Sequence, residues 1–381
     1  MSYLKDPLYF LRDIAEKTGL EEKEEGIRRV VFSLCYLNPA STKEISRFAR
    51  LPVPITAAVR KEFENSGVLQ RATGLELTGK GIEIANTLFS TGRAELIPDR
   101  KKIEDIKKEI SEALAERPQA DRTLDQTYST IETQVRRVSH MLLDDAVLGR
   151  DISILGDDDM TSLSLCIYLE CILPDNTIPC RIRVYECDDR LIQYIASRAK
   201  KRKYPVKVNH ADLISRLKPS YLDISDTVFT DPPYTVKGVE LFLSRAVEML
   251  KWGSGRKIYL SLPRIRRGDL LKIQKDIAGM DLLTECILRD FNKYQGNSIY
   301  GNHSDLYCLS TCQTTRSKYK EDSEGNIYTF DANPKVRAYQ CKKCQRIFKT
   351  GTGGESIDLL ISRGCDNCGS KQFDRIDARN P

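Results

Sequence analysis

Between residues 150 and 311 the sequence alternates short apolar, β-branched runs with longer segments of helical period. No other feature constrains the fold as tightly. The strand candidates are ISILG (152–156), RIRVYE (181–186), PVKVN (205–209), TVFTD (227–231), RKIYLSL (256–262), LLTECILRDF (282–291) and DLYCLST (305–311). Helical periods fill 161–173, 189–201, 212–217, 237–251 and 268–279. Strands separated by helices imply a largely parallel sheet covered on both faces. Only NKYQGNSIYGNHS separates the last two strands, too irregular for a crossover helix, so these should pair as an antiparallel hairpin.

Seven strands with a terminal hairpin is the pattern of the class I methyltransferase sheet, a Rossmann-like α/β fold. A chain of 381 residues exceeds what one core usually fills, so further units are expected around this one. Residues 1–95 read as helix, helix, helix and small ribbon, the order of a winged-helix-like α+β domain. There Ile27, Val30, Val31, Leu34 and Leu37 share a helical face, Ser41 and Glu44 open the next helix, and Gly67 closes the one after. Arg47, Arg50, Arg60 and Lys61 could face DNA, but without a dense basic helix a packing module is the favoured reading. Residues 96–148 read as a charged, helical linker, 149–316 as the catalytic sheet domain and 330–381 as a separate tail. A net charge of +6 does not by itself argue for nucleic acid. The start, MSYLKDPLYFLRDIAEKTG, reads as neither signal peptide nor membrane span, so a cytoplasmic protein without a membrane partner is expected.

In such a sheet, ligands bind where the strands end at their carboxyl side. Acids gather at those ends: Gly156, Asp157, Asp158 and Asp159 after the first strand, Glu186 and Asp188 after the second, Asp212 after the third and DPPY (231–234) after the fourth. Helix capping explains single aspartates at such turns and accounts for Asp189, but three in succession are expected to do more. A carboxylate at the end of the second strand can accept both ribose hydroxyls of an adenosine, which is the role read for Glu186. Asp212 is placed to accept from the adenine amino group. Gln126, preceding the second linker helix, could reach the front of the sheet. No P-loop and no G-x-G-x-x-G is present, so the nucleoside is expected to belong to a sulfonium donor.

In DPPY, Pro232 and Pro233 stiffen the turn, Asp231 offers a carboxylate and Tyr234 an aromatic face, an arrangement suited to an amine nucleophile. The aspartate triplet would repel the carboxylate of intact S-adenosylmethionine and attract a decarboxylated, purely cationic donor together with a polyamine. A carboxylate beside the attacking nitrogen could orient it and take up its proton.

GDDDM followed by TSLSL, together with YECDDR, TDPPYT and the upstream DQTYSTIETQVRRVSHML, resembles the branched-chain polyamine synthases, also called bis(aminopropyl)spermidine synthases, over roughly residues 25–315. The resemblance implies aminopropyl transfer from decarboxylated S-adenosylmethionine to the secondary amine of spermidine, with release of methylthioadenosine. It makes Asp159 the first choice for the acid beside the reacting amine, with Asp157 and Asp158 shaping the cationic pocket. A weaker parallel with linear spermidine synthases gives Asp231 a share of the catalysis. The rival is a methyltransferase acting on an exocyclic amine of adenine or cytosine, which also uses a D-P-P-Y turn.

In the tail, CKKC (341–344) and CDNC (365–368) form a zinc-ribbon pattern. Cys341, Cys344, Cys365 and Cys368 are expected to hold a structural zinc, because four thiolates leave no position for water. Lys342, Lys343, Arg346 and Lys349 leave contact with nucleic acid or another subunit open, nucleic acid being the less favoured. The other cysteines, Cys166, Cys171, Cys286, Cys308 and Cys312 among them, fall in apolar or strand-like runs as buried free thiols do. A homodimer is the expected assembly.

Overall fold

The computed structural model describes residues 6–90, 96–173, 177–295, 302–323, 325, 327–329, 336–351 and 357–376. Part of the loop before the last sheet strand (296–301) and the ends of the tail lie outside these residues.

The first unit comprises α1 (Pro7–Thr18), α2 (Lys23–Tyr36), α3 (Thr42–Ala49), α4 (Val53–Asn65), the antiparallel ribbon of β1 (Leu69–Arg71) and β2 (Leu75–Leu77), and α5 (Gly79–Phe89). The Ser41 hydroxyl and the Glu44 carboxylate close a reciprocal capping box at the start of α3. Ile27, Val30, Val31 and Leu34 are buried on α2. Of the arginines considered for DNA, Arg50 pairs with Asp144 (3.2 Å) and Glu285 (3.7 Å), and Arg60 lies against Thr42 (3.1 Å) and Glu64 (3.7 Å).

Next come α6 (Arg100–Leu114) and α7 (Ile131–Leu143). Ile106, Ile110 and Leu114, four residues apart, form one buried stripe on α6, and α7 buries Gln134, Val135, Arg137, Val138 and Met141. The reading of 96–148 as connective is therefore corrected. These helices supply part of a continuous apolar core that runs from Phe10 and Ile27 through Val138 to Ile154 and Leu163.

The central sheet holds β3 (Asp151–Leu155), β4 (Arg181–Glu186), β5 (Val206–His210), β6 (Thr227–Thr230), β7 (Lys257–Pro263), β8 (Leu282–Lys293) and β9 (His303–Thr311), in the order β5-β4-β3-β6-β7-β9-β8. The first five pair in parallel, and β9 is antiparallel to both β7 and β8. This is the seven-stranded methyltransferase-like sheet with its terminal hairpin. Crossovers run through α8 (Thr161–Ile172), α9 (Asp189–Arg202), α10 (Val236–Met249) and α11 (Arg267–Gly279).

One expected helix is missing. Residues 212–217 form turns, in which the Asp212 carboxylate accepts from the Ile214 amide at 2.9 Å, followed by a single 3-10 turn over Pro219–Tyr221. Six residues ahead of Lys218-Pro219 are too few to offset the cost of nucleating a helix.

The tail folds as β10 (Val336–Cys341), β11 (Ile347–Gly351), α12 (Ile357–Arg363) and β12 (Phe373–Ile376), a three-stranded antiparallel sheet in the order β11-β10-β12. No helix among the described residues is long and apolar enough to cross a membrane.

Candidate active site

A cleft open to solvent lies at the carboxyl ends of β3, β4, β5 and β6. Gly156, Asp158, Glu186, Asp212, Asp231, Pro232, Pro233 and Gln126 all line it, as do Asp125, Tyr185, Phe242, Ile327 and Tyr328. Asp125, Asp158, Glu186, Asp212 and Asp231 are five carboxylates, and no lysine, arginine or histidine is among the described lining residues.

After β3 the chain turns at Gly156 with φ +68°, a conformation that costs a side-chain-bearing residue energy. The three aspartates that follow point in three directions. Asp157 turns down to the start of α8, where its carboxylate accepts from the Ser162 hydroxyl and amide, while Met160 at the N-cap offers no side-chain bond. Capping, judged insufficient for the triplet, is what Asp157 does. Asp158 stays at the cleft and accepts from the Thr127 amide at 3.0 Å. Asp159 is buried behind it, accepting from the Ser129 amide and pairing with Arg137 at 2.5 Å. Of the three, Asp158 lines the cleft, as expected of a pocket residue, whereas Asp157 and Asp159, expected to shape the pocket and to stand beside the reacting amine, are not among its described lining residues.

Burial sets the proton affinities. Burial pushes the Asp157 carboxyl up to about 7, since the bonds from Ser162 only partly offset it. Asp158 is held well above the usual carboxylate range by burial and by Asp159 and Asp231 nearby. Asp231 is pushed up to about 6: burial and the Asp159 charge outweigh the Arg137 guanidinium that favours its anion.

Glu186 accepts from the amides of Asp157 (2.9 Å), Cys187 (2.8 Å) and Asp188 (3.0 Å), which fixes its carboxylate at the cleft floor with lone pairs left for a ligand. Asp188, expected to bind substrate, does not line the cleft. It caps α9, accepts from Arg190 at 2.6 Å and from the Gln126 amide nitrogen at 3.0 Å, and is held down at about 2 mainly by Arg190. Gln126 is thereby pinned at the cleft wall. Tyr234, also absent from the lining, donates its hydroxyl to Asp231 at 3.2 Å.

Arg137 was missed by reading α6 and α7 as a linker. Fully buried, it bonds Asp159, Asp231 (2.9 Å), Asn292 (2.8 Å), Ser261 (3.3 Å) and the Tyr294 hydroxyl (3.2 Å), and Tyr294 donates to Asp231 at 2.5 Å. The signal was in the sequence: Gln134, Arg137, Val138 and Met141 share the face that α7 buries, and an arginine on that face demands acidic partners. Ile327 and Tyr328 were also missed. They reach the cleft because the chain after β9 returns across the front, where the Ile327 carbonyl accepts from the Thr235 hydroxyl and the Thr329 amide donates to Asp125 at 2.7 Å.

In the tail, Cys341 and Cys368 place their sulfurs 3.5 Å apart, as do Cys344 and Cys365, and all four lie within 4.8 Å of one another. Four thiols at this spacing fit a tetrahedral metal site.

Over 379 residues, 96% of this chain and 92% of the relative, the sequence is 30% identical to an uncharacterised protein, MJ0675, of Methanocaldococcus jannaschii. It is 27% identical over 297 residues to the N(4)-bis(aminopropyl)spermidine synthase of the same organism, covering 74% of this chain and 81% of the relative. The corresponding synthase of Thermococcus kodakarensis is 28% identical over 298 residues, with the same coverage. The crystal structure of the branched-chain polyamine synthase from Thermus thermophilus, solved with N4-aminopropylspermidine and 5'-methylthioadenosine, shares the fold with a TM-score of 0.53 at 19% identity, covering 85% of this chain and 97% of that one. Residues 105–350 match the family model of the branched-chain polyamine synthase A C-terminal domain, and the chain belongs to that family.

Proposed function

We propose that the protein is an aminopropyltransferase that moves aminopropyl groups from decarboxylated S-adenosylmethionine to the secondary amine of spermidine, yielding branched polyamine and methylthioadenosine. The observation that carries the reading is the acidity of the cleft, which five carboxylates line with no lysine, arginine or histidine among the described lining residues. Two unit charges 4 Å apart interact by about 4 kcal/mol at an effective dielectric of about 20, so a donor lacking its own carboxylate is preferred here to one that keeps it. The synthases of Methanocaldococcus and Thermococcus support the same substrate class.

In this reading Glu186 holds the ribose hydroxyls, Asp212 the adenine amino group, and Pro232 and Pro233 fix the turn that presents Asp231. Asp158 and Asp231 meet the cationic polyamine, whose secondary amine reacts in its neutral form. The nitrogen lone pair forms the new carbon–nitrogen bond as the carbon–sulfur bond breaks and the sulfonium leaves as a neutral thioether. The nitrogen then carries one proton too many, and Asp158 or Asp231 accepts it. Asp159 and Tyr234 act through others, Asp159 by anchoring Arg137 and Tyr234 by bonding Asp231. The four tail cysteines would hold a structural zinc, which takes no part in the transfer.

The test is the product. Incubation with decarboxylated donor and spermidine should release methylthioadenosine and give a polyamine heavier by one or two aminopropyl units. Methylated adenine or cytosine formed from intact S-adenosylmethionine and nucleic acid, with no methylthioadenosine in the first assay, would overturn the assignment.

A further inference from the structure

Away from the cleft, His140 on α7, Cys286 on β8 and Cys308 on β9 bring an imidazole nitrogen and two sulfurs within 4.8 Å of one another. The His140 Nε2 lies 3.2 Å from the Cys308 sulfur. The two cysteines stand directly opposite across the β8–β9 hairpin, and that register is set by a bulge. Thr284 pairs with Leu309, so an unbroken ladder would put Glu285 opposite Cys308. Instead one extra residue is inserted between Thr284 and Cys286, and Cys286 takes that place. Directly opposed residues share a face of the sheet, so the bulge brings Cys286 onto the face where Cys308 meets His140. Bulges often serve to re-aim a side chain at a site. Glu285, displaced by the insertion, turns to the Ser310 hydroxyl at 2.6 Å and to Arg50.

Cys308 is buried, whereas His140 and Cys286 are half-buried, so an ion could enter from the solvent side. Asp144, the C-cap of α7, is already engaged by the Tyr259 hydroxyl (2.6 Å), Lys257 (2.7 Å) and Arg50 (3.2 Å). Two thiolates and a neutral imidazole balance a divalent ion, and two sulfurs with one nitrogen suit zinc. We propose that His140, Cys286 and Cys308 form a second metal site, distinct from the tail cysteines, that takes zinc with three protein ligands and a fourth position left to water. The ion staples α7 to β8 and β9. His140 is three residues beyond Arg137 on α7, and Asn292 on β8 bonds Arg137, so the staple joins the elements that hold Arg137 in place.

Metal content of the full-length protein decides the matter. Wild type exposed to zinc and freed of excess should retain about two equivalents per chain, and His140→Gln about one, with little change in its melting curve without added metal because the side chain is half-buried. Cobalt titrated into Cys341→Ser/Cys344→Ser should give the absorption of a thiolate-bound tetrahedral ion, and adding Cys286→Ser should abolish it. Equal zinc content in wild type and His140→Gln, or no cobalt–thiolate absorption in the folded tail variant, would overturn the proposal.

Discussion

Arg137 holds two acids, Asp159 and Asp231, that would otherwise repel one another inside the protein, and Asp231 still faces the cleft. Removing one member of a buried charge cluster leaves the others uncompensated, at a cost of about 3–5 kcal/mol. Arg137→Met should therefore lower stability by that amount in chemical denaturation. Arg136→Ala, one residue away, gives up a hydrogen bond to the Phe291 carbonyl (2.9 Å) and a contact with the Phe291 ring, and should cost about 1–2 kcal/mol. Asp158 presents the opposite case, a cleft-facing acid that accepts from the Thr127 amide and is paired with no arginine or lysine among the described residues. Asp158→Asn should keep the fold and lower turnover of spermidine by about 10²–10⁴-fold, measured by methylthioadenosine release. Reading the sequence alone placed the acids at the strand ends but not their directions. Three successive side chains leaving a turn diverge, so sequence order could not show that Asp157 would cap α8 and Asp159 would meet an arginine from a helix more than twenty residues earlier.

Elements were most legible where period and burial coincide. The alternation in RIRVYE and the β-branched run in TVFT yield β4 and β6 nearly to the residue, because a strand in a sheet covered on both faces has little freedom to be anything else. The stretch 212–217 failed for the opposite reason, since six residues of mixed character carry too little period to separate a helix from consecutive turns. On α6 the charges of KKIEDIKKEISEAL drew attention from its stripe. Ile110 is fully buried there, and α6 packs on α7 and α8. Ile110→Ala should cost about 2–5 kcal/mol, far more than a linker helix would show, and a melting curve of the variant checks it. The return of the chain across the cleft at Ile327 had no signal of its own, because nothing local in GNIYT announces contact with Asp125 some two hundred positions earlier.

Over the whole molecule, two sets of carboxylates oppose each other in their dependence on pH. The first set ties the N-terminal helices to the base of the sheet. Arg28 bonds Asp145 (3.1 Å), Arg150 bonds Glu25 (2.8 Å) and Asp145 (2.9 Å), and Arg256 joins Glu25 to Asp226. Burial alone would raise the Glu25 carboxyl, but Arg150 and Arg256 hold it well below the usual range. Asp151 is likewise held down against the effect of burial by Arg181 and Lys251. Their folded values lie below the unfolded values of about 4. Their stabilisation is thus full above that pH and is lost as the pH falls through the folded values. The acids of the cleft, with Asp157 at the start of α8, behave in reverse. Asp157 (about 7), Asp158 and Asp231 (about 6) have folded values above the unfolded ones, chiefly through burial. Their contribution is full below about 4 and is lost as the pH rises through those folded values. The ligand-free melting temperature should therefore climb from pH 2 to a maximum near pH 4–5 and then decline toward pH 7. Spermidine, a cation that favours the ionised cleft acids, should reverse the decline, and Asp158→Asn should flatten it in the absence of polyamine. Differential scanning fluorimetry across this range, with and without spermidine, measures both effects. A ligand-free melting temperature that rises steadily to pH 7 and is unmoved by spermidine would mean that the cleft acids are neither buried together nor open to a polyamine.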